Sequence, residues 1–224
     1  MRKVVSIAAF LDLDSTLCKI EGLDFLAEKK GIGKKVSEMT KKAMDGSVSY
    51  QTVMLKKIEM IRPSKSDFFL LGEKYLNSLT SKAEEFIKIL KQKGADIFIV
   101  TGNFEIPALM LAKKLGIKER NVFANKAFFN KKGEYLSVDL DNPLLTDKGK
   151  REIVKFALKR KNYDFSFFVG DGSTDLATKG AVDIFIGFGG VVTREKVKAE
   201  ADFFAMSFKE VLVFLEKVLS KAKK

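Results

Sequence analysis

Four short apolar runs constrain this chain most. Val4–Leu13, Asp96–Val100 (DIFIV), Phe165–Val169 (FSFFV) and Asp183–Ile186 (DIFI) are continuously apolar rather than alternating along most of their length. Runs of this kind suit parallel strands covered on both faces. Amphipathic segments separate them. Ser81-Lys82-Ala83-Glu84 reads as a capping box for a helix that Gly94 closes, and Pro107–Leu115 ends at Gly116. Lys148–Lys161 reads as a third helix, and Ser207–Lys221 opens on Ser207 and Glu210 in a second capping box. Strand and helix in alternation predict an open α/β sheet with right-handed crossovers. Phe128–Val138 predicts a hairpin through Lys132-Gly133.

One stretch breaks the alternation. From Gly22 to Leu79 no strand pattern occurs, and helices are expected around Val36–Met44, Tyr50–Ile61 and Ser66–Leu76, separated by Gly46 and Pro63. The expected architecture is a Rossmann-like three-layer α/β sandwich with a mostly parallel sheet. Residues 1–20 and 80–224 form its core, and residues 21–79 form a small helical cap inserted after the first strand.

The polar clusters share an address. Asp12 and Asp14 end the first run, Thr101-Gly102-Asn103 follows the second, and Gly170-Asp171-Gly172-Ser173-Thr174-Asp175 follows the third. In open α/β sheets, ligands bind beyond the carboxyl ends of the strands. Residues i and i+2 of an extended chain point to one face, so Asp12 and Asp14 repel each other unless something offsets them. Two carboxylates joined by a third from another strand suit a hard divalent cation such as Mg2+, which draws in a phosphate. One of the pair can then attack phosphorus, and its neighbour can carry the proton. The transferring group needs donors and positive charge around its oxygens. Thr101 offers a hydroxyl, Gly102-Asn103 offer backbone N–H groups, and Lys148 in TDKGK is the candidate cation.

Composition narrows the field. The chain has 224 residues, one cysteine (Cys18) and no histidine. An intramolecular disulfide and a Cys/His metal cluster are excluded, and a reducing cytoplasm is the expected home. Acid–base work falls to carboxylates, lysine or tyrosine. The N-terminal MRKVVSIAAFL imitates a signal peptide, but its apolar run stops at Asp12 without a cleavage site, so a buried strand is the better reading. No apolar stretch reaches the length of about 20 residues that a membrane span needs. The formal net charge of +12 suits an anionic partner, yet the lysines are spread along the chain and no nucleic-acid motif accompanies them.

The motifs DLDST, VTGN, the TDKGK lysine and GDGSTD resemble those of the haloacid dehalogenase-like phosphohydrolases, most closely the phosphoserine phosphatase branch. IEGLD, SEMTKKAMDG, NVFAN, GEY and IFIGFGG extend the likeness over nearly the whole chain, cap included. The resemblance implies that Asp12 is the phosphorylated nucleophile and Asp14 the general acid/base. Asp12, the Asp14 carbonyl and Asp171 would hold Mg2+, with Asp175 in support. Thr101, Gly102 and Lys148 would hold the phosphate. Glu21 would face a substrate ammonium, Met44 would line the pocket, and Thr174 and Arg194 would sit nearby. Two positions depart from the pattern: Lys57 stands where the family usually has an arginine for the substrate carboxylate, with Lys56 and Arg62 close in sequence, and Asn103 stands where glycine is common.

The implied reaction takes O-phospho-L-serine to L-serine and phosphate, a step of serine biosynthesis. It needs a small phosphorylated metabolite, neither nucleic acid nor membrane, and a monomer or homodimer. The alternatives are the same chemistry on another small phosphomonoester, a phosphomutase, a receiver domain, or a basic nucleic-acid-binding protein. A receiver domain would lack GDGSTD and the helical insert.

Overall fold

The computed structural model describes residues 5–44 and 48–221, leaving the side chains of Met44 and Lys221 undescribed. Val4, Gly46 and the last lysines lie outside the described residues. Six strands form one sheet in the order β3-β2-β1-β6-β7-β8, every neighbouring pair parallel. They are β1 (Ile7–Leu11), β2 (Asp96–Phe104), β3 (Val122–Asn125), β6 (Phe165–Gly170), β7 (Ile184–Phe188) and β8 (Phe203–Ala205). β4 (Ala127–Phe129) and β5 (Tyr135–Val138) make the expected antiparallel hairpin, with Gly133 at φ +80° in the turn.

Both sheet faces are buried, so the strands are apolar on both sides. Ile7, Ala9 and Leu11 of β1 join Ile97, Ile99, Phe167 and Val169 in one cluster. That face is covered by α5 (Ala83–Gln92), α6 (Glu105–Leu115) and α10 (Phe208–Lys221), through Phe86, Leu111 and Phe208. Ala8 and Phe10 point the other way, with Phe98, Val100 and Phe168, under α7 (Gly149–Leu158) and α9 (Glu195–Glu200). Phe10 stacks on Phe98 at 4.7 Å between centroids. This is a Rossmann-like three-layer α/β sandwich.

Among the described residues, four α-helices lie between β1 and α5: α1 (Gly22–Lys29), α2 (Gly33–Met44), α3 (Tyr50–Ile61) and α4 (Lys65–Leu76). The chain leaves and returns along paired segments. Lys19 N–H donates to Ser78 O at 2.8 Å, and Thr80 N–H donates to Leu17 O at 2.9 Å. α4 opens on a capping box between Ser64 and Asp67 and packs tightly on α6. A Cβ on Gly72 would come within 2.2 Å of Met110 Sδ, and Phe68 lies 4.7 Å from Phe104.

Several local expectations need correction. β1 is five residues long, shorter than Val4–Leu13, because the chain turns at Asp12. β2 runs on through Thr101-Gly102-Asn103 to Phe104, with its register to β3 slipping between Val100 and Phe104. The Ser81–Glu84 capping box does not form; Lys82 caps α5 in the left-handed region at φ +66°, and Ala83 N–H bonds Thr80 O instead. β3, β8, α1, α8 (Ser173–Leu176) and α9 were not expected from the sequence. Most are short, and α1 begins at a glycine with no side-chain cap to announce it. Among the described residues no helix is long and apolar enough to cross a membrane.

Candidate active site

The strand order reverses between β1 and β6, since the chain adds β2 and β3 on one side of β1 and β6, β7 and β8 on the other. The carboxyl ends at such a switch point diverge and leave a crevice. Asp12 stands there, its N–H bonded to Val169 O at 3.0 Å. The chain then coils into one tight turn. Ser15 takes φ +52°, Ser15 N–H donates to Ile20 O at 3.1 Å, and Cys18 N–H donates to Leu13 O at 2.9 Å. Asp12 and Asp14 both line the cavity above it.

Around Asp12 the charges are dense. Asp12, Asp171 and Asp175 each bring a carboxylate oxygen to within 4.8 Å of the others, and all three are buried. Lys150 Nζ donates to Asp12 Oδ1 at 2.5 Å and to Asp175 Oδ1 at 2.6 Å. Arg194 donates through Nε to Asp171 Oδ2 at 2.9 Å, and pairs with Glu21 Oε1 at 3.2 Å. The other Asp175 oxygen accepts from Gly172 N–H at 2.9 Å. Gly170 leaves that carboxyl its room: a Cβ there would lie 2.4 Å from Asp175 Cγ.

Burial and the Asp175 charge raise Asp12 well above the usual carboxylate range, although Lys150 opposes them. Burial pushes Asp171 to about 7 against the pull of Arg194, with Glu21 and Asp175 adding to the rise. Burial alone would depress Lys150, but Asp12 and Asp175 outweigh it and hold the ammonium charged. With Lys57 and Asp24 counted as a neutral pair, the carboxylates of Asp12, Asp14, Glu21, Asp171 and Asp175 face, among the described residues, the cations Lys150 and Arg194. An all-oxygen donor set with surplus negative charge fits a hard divalent cation.

Asp14 has different surroundings. Gly22 N–H donates to its Oδ1 at 2.9 Å, Tyr75 OH to the same oxygen at 2.5 Å, and Asn103 Nδ2 to Oδ2 at 2.9 Å. Burial, aided by Glu21, pushes Asp14 up to about 7, with those three bonds opposing. A general acid must hold its proton, and Asp14, pushed up to about 7, is the carboxyl here suited to that expected role. The kcat/KM for phosphoryl transfer is therefore expected to fall as pH rises through about 7, with a separate fall on the acid side where Asp12, whose carboxyl is also raised, takes up a proton and can no longer attack. A profile level to pH 9 would remove Asp14 from that role.

The opposite wall is Thr101, whose Oγ1 accepts from Asn103 N–H at 3.0 Å, and Gly102, whose carbonyl accepts from Asn125 Nδ2 at 2.7 Å and Tyr50 OH at 3.3 Å. The roof is Glu21, Leu23, Tyr50, Met54 and Lys57. Lys57 is buried and bonded to Asp24 Oδ1 at 3.1 Å and to the Thr40 hydroxyl. Asp147 fastens the roof: its carboxylate accepts from Tyr50 N–H at 2.8 Å and Ser49 Oγ at 3.0 Å.

The structure gathers Asp12, Asp14, Glu21, Lys57, Thr101, Gly102, Asn103, Asp171, Thr174 and Asp175 around one cavity, with Arg194 bonded to two of them. The Met44 side chain lies outside the described residues. Lys148 caps α7 with its side chain exposed and does not line the cavity; Lys150 does. The sequence carried a signal for this. Lys150 shares its helix face with Val154 and Ala157, at i+4 and i+7, and that is the face α7 buries. Tyr50 and Tyr75 were also missed, since helices inserted far from the motifs give no spacing to follow.

A family model described as a haloacid dehalogenase-like hydrolase matches residues 8–179, and the chain belongs to the haloacid dehalogenase-like hydrolases. Within them its similarity is to phosphoserine phosphatases. The phosphoserine phosphatase of Homo sapiens is 34% identical over 209 residues, 93% of each chain. A phosphoserine phosphohydrolase-like protein from Francisella tularensis superposes with a TM-score of 0.84 at 26% identity, over 92% of this chain and 98% of that one. A phosphoserine phosphatase solved as a phospho-aspartyl intermediate analogue gives 0.80 at 26% identity, over 92% and 97%.

Proposed function

We propose that this chain hydrolyses O-phospho-L-serine to L-serine and phosphate through a phosphoryl group carried on Asp12. The observation that carries the reading is the contrast between the two aspartates: Asp12 sits among Lys150, Asp171 and Asp175, while Asp14 is held by neutral donors two residues on. An Asp12 oxygen attacks phosphorus, and the P–O bond to the serine oxygen breaks as Asp14 delivers its proton to that oxygen. Water then attacks the phosphoryl group, Asp14 takes the proton, and Asp12 leaves as carboxylate. Lys150 and Thr101 line the cavity beside Asp12 and would meet the phosphoryl oxygens as they gather charge. Asp12, Asp171 and the Asp14 carbonyl would hold Mg2+, supported by Asp175, and when bound the cation would neutralise those oxygens.

Glu21 suits the substrate ammonium and Lys57 its carboxylate, though Lys57 already serves Asp24. Lys57→Ala is expected to raise KM for phosphoserine about tenfold or more while changing kcat far less, since a point-charge contact to a remote carboxylate acts on binding. Equal kinetics would take Lys57 out of the site. That prior pairing also favours, as a second reading, a small phosphomonoester without a carboxylate.

Residues 21–79 form the lid. The cavity has a volume of about 50 Å³, room for a few waters, and its roof is expected to open for substrate entry. The Asp147 contacts to Ser49 and Tyr50 are the latch, and α4, packed on α6, is the fixed edge. Hydrogen exchange across residues 48–61 is expected to slow when a phosphate analogue binds with Mg2+. Unchanged exchange counts against a lid.

The direct test is phosphate release from L-phosphoserine beside a panel of small phosphomonoesters, with Mg2+ and with chelator. Preference for phosphoserine, lost with chelator, supports the full reading. Metal-dependent turnover of another ester keeps the chemistry and moves the substrate to the second reading.

A further inference from the structure

Tyr75 and Asn103 are tied to each other as well as to Asp14. Asn103 Nδ2 donates to Tyr75 OH at 2.7 Å and to Asp14 Oδ2 at 2.9 Å, and Tyr75 OH donates to Asp14 Oδ1. The hydrogen count closes: the amide has two protons and the phenol one, and each is used. Asn103 cannot turn over, because its Oδ1 accepts from Phe104 N–H at 2.8 Å and so aims Nδ2 at the carboxylate. Both side chains are buried, Tyr75 completely. Gly22 completes the enclosure: its N–H bonds Asp14, and a Cβ on it would lie 2.2 Å from Tyr75 OH and 2.4 Å from Asn103 Nδ2. The pair joins β2 of the sheet to α4 of the insert, and Asp14 lies between them.

We propose that Tyr75 and Asn103 are positioning residues that fix the Asp14 carboxyl in the one orientation from which it can protonate the leaving oxygen. A lone carboxyl at the mouth of a cavity has free rotation about its Cα–Cβ and Cβ–Cγ bonds. Held at both oxygens, it presents the same edge to every substrate, which saves the entropy of finding the reactive geometry. Tyr75 is suited to the task because burial and the adjacent Asp14 keep the phenol protonated, leaving it a donor. The inference rests on Asp14 being the general acid.

The experiment separates the two claims by leaving group. Serine leaves as an alkoxide and needs a proton, whereas acetate leaving from acetyl phosphate needs none. The constant kcat/KM ends at departure of the leaving group, so the later water step does not enter it. Tyr75→Phe, Asn103→Gly and Gly22→Ala are compared with the parent and with Asp14→Asn on phosphoserine and on acetyl phosphate. For the first three, kcat/KM on phosphoserine is expected to fall about 10- to 100-fold, and on acetyl phosphate by less than about threefold. Tyr75→Phe keeps the ring and its packing, so it reports even where the glycine variant fails to fold. Equal losses on both substrates, or none on either, in folded Tyr75→Phe overturn the proposal. If Asp14→Asn itself shows no preference between the substrates, the role of Asp14 fails first; if only Asp14→Asn shows it, the positioning role alone fails.

Discussion

Asp12→Asn is expected to remove turnover by about 10⁴-fold or more, while the protein stays folded and binds its ligands. No other described carboxylate can replace it. Asp171 is engaged by Arg194, and Asp175 by Lys150 and Gly172 N–H. Asp14 lies on the same wall but is tied by Gly22, Tyr75 and Asn103. The amide keeps the shape of the carboxylate and relieves the repulsion with Asp175 and Asp171 that helps raise Asp12. Stability is therefore expected to be unchanged or higher, read as Tm in chelator. A loss of activity that tracks a loss of Tm would make Asp12 structural; activity within tenfold of the parent would place the nucleophile elsewhere.

The second large effect separates two lysines two residues apart. Lys150→Ala is expected to lower kcat/KM by about 10²- to 10³-fold, the usual scale for one charged donor on a reacting group. It also leaves buried Asp12 and Asp175 without their shared cation, a loss of about 3–5 kcal/mol for a broken buried ion pair, partly recovered by protonation of Asp12. Lys148→Ala is expected to stay within about threefold in both activity and stability, because its side chain is exposed at the helix start. The reverse pattern would return the phosphate to Lys148 and make Lys150 a buried structural ion. Lys150→Met keeps the packing volume and guards against a variant that does not fold.

How far the sequence could be read follows from where its information lies. β1, β2, β6 and β7 were legible because both faces of each strand are buried and continuous apolar runs result. Asp12, Asp14, Thr101, Asp171 and Asp175 were legible because they follow apolar runs on the carboxyl side, where an α/β sheet concentrates its ligands. β8 is a three-residue edge strand and leaves no run to see. The end of α5 was placed by Gly94, but its start was misplaced because a Thr80 carbonyl, not the Ser81 hydroxyl, takes the first free N–H.

Lys150 was missed for a different reason. The TDKGK motif offers two lysines, and only the packing of Val154 and Ala157 decides which one turns inward. Lys57 lines the cavity, yet its partner Asp24 and the Thr40 hydroxyl come from two other helices, a convergence no local pattern records. The same holds for Tyr75, which reaches Asp14 across 61 positions of sequence.

The most direct measurement is the mass of the protein and its peptides after rapid acid quench during turnover of phosphoserine with Mg2+. The expected result is one added phosphoryl group on the peptide that carries Asp12 and Asp14, placed on Asp12 by fragmentation and absent in Asp12→Asn. It should disappear as substrate is exhausted. A turning-over enzyme with no added mass under single-turnover conditions, or with the phosphoryl group on another residue, would contradict the account.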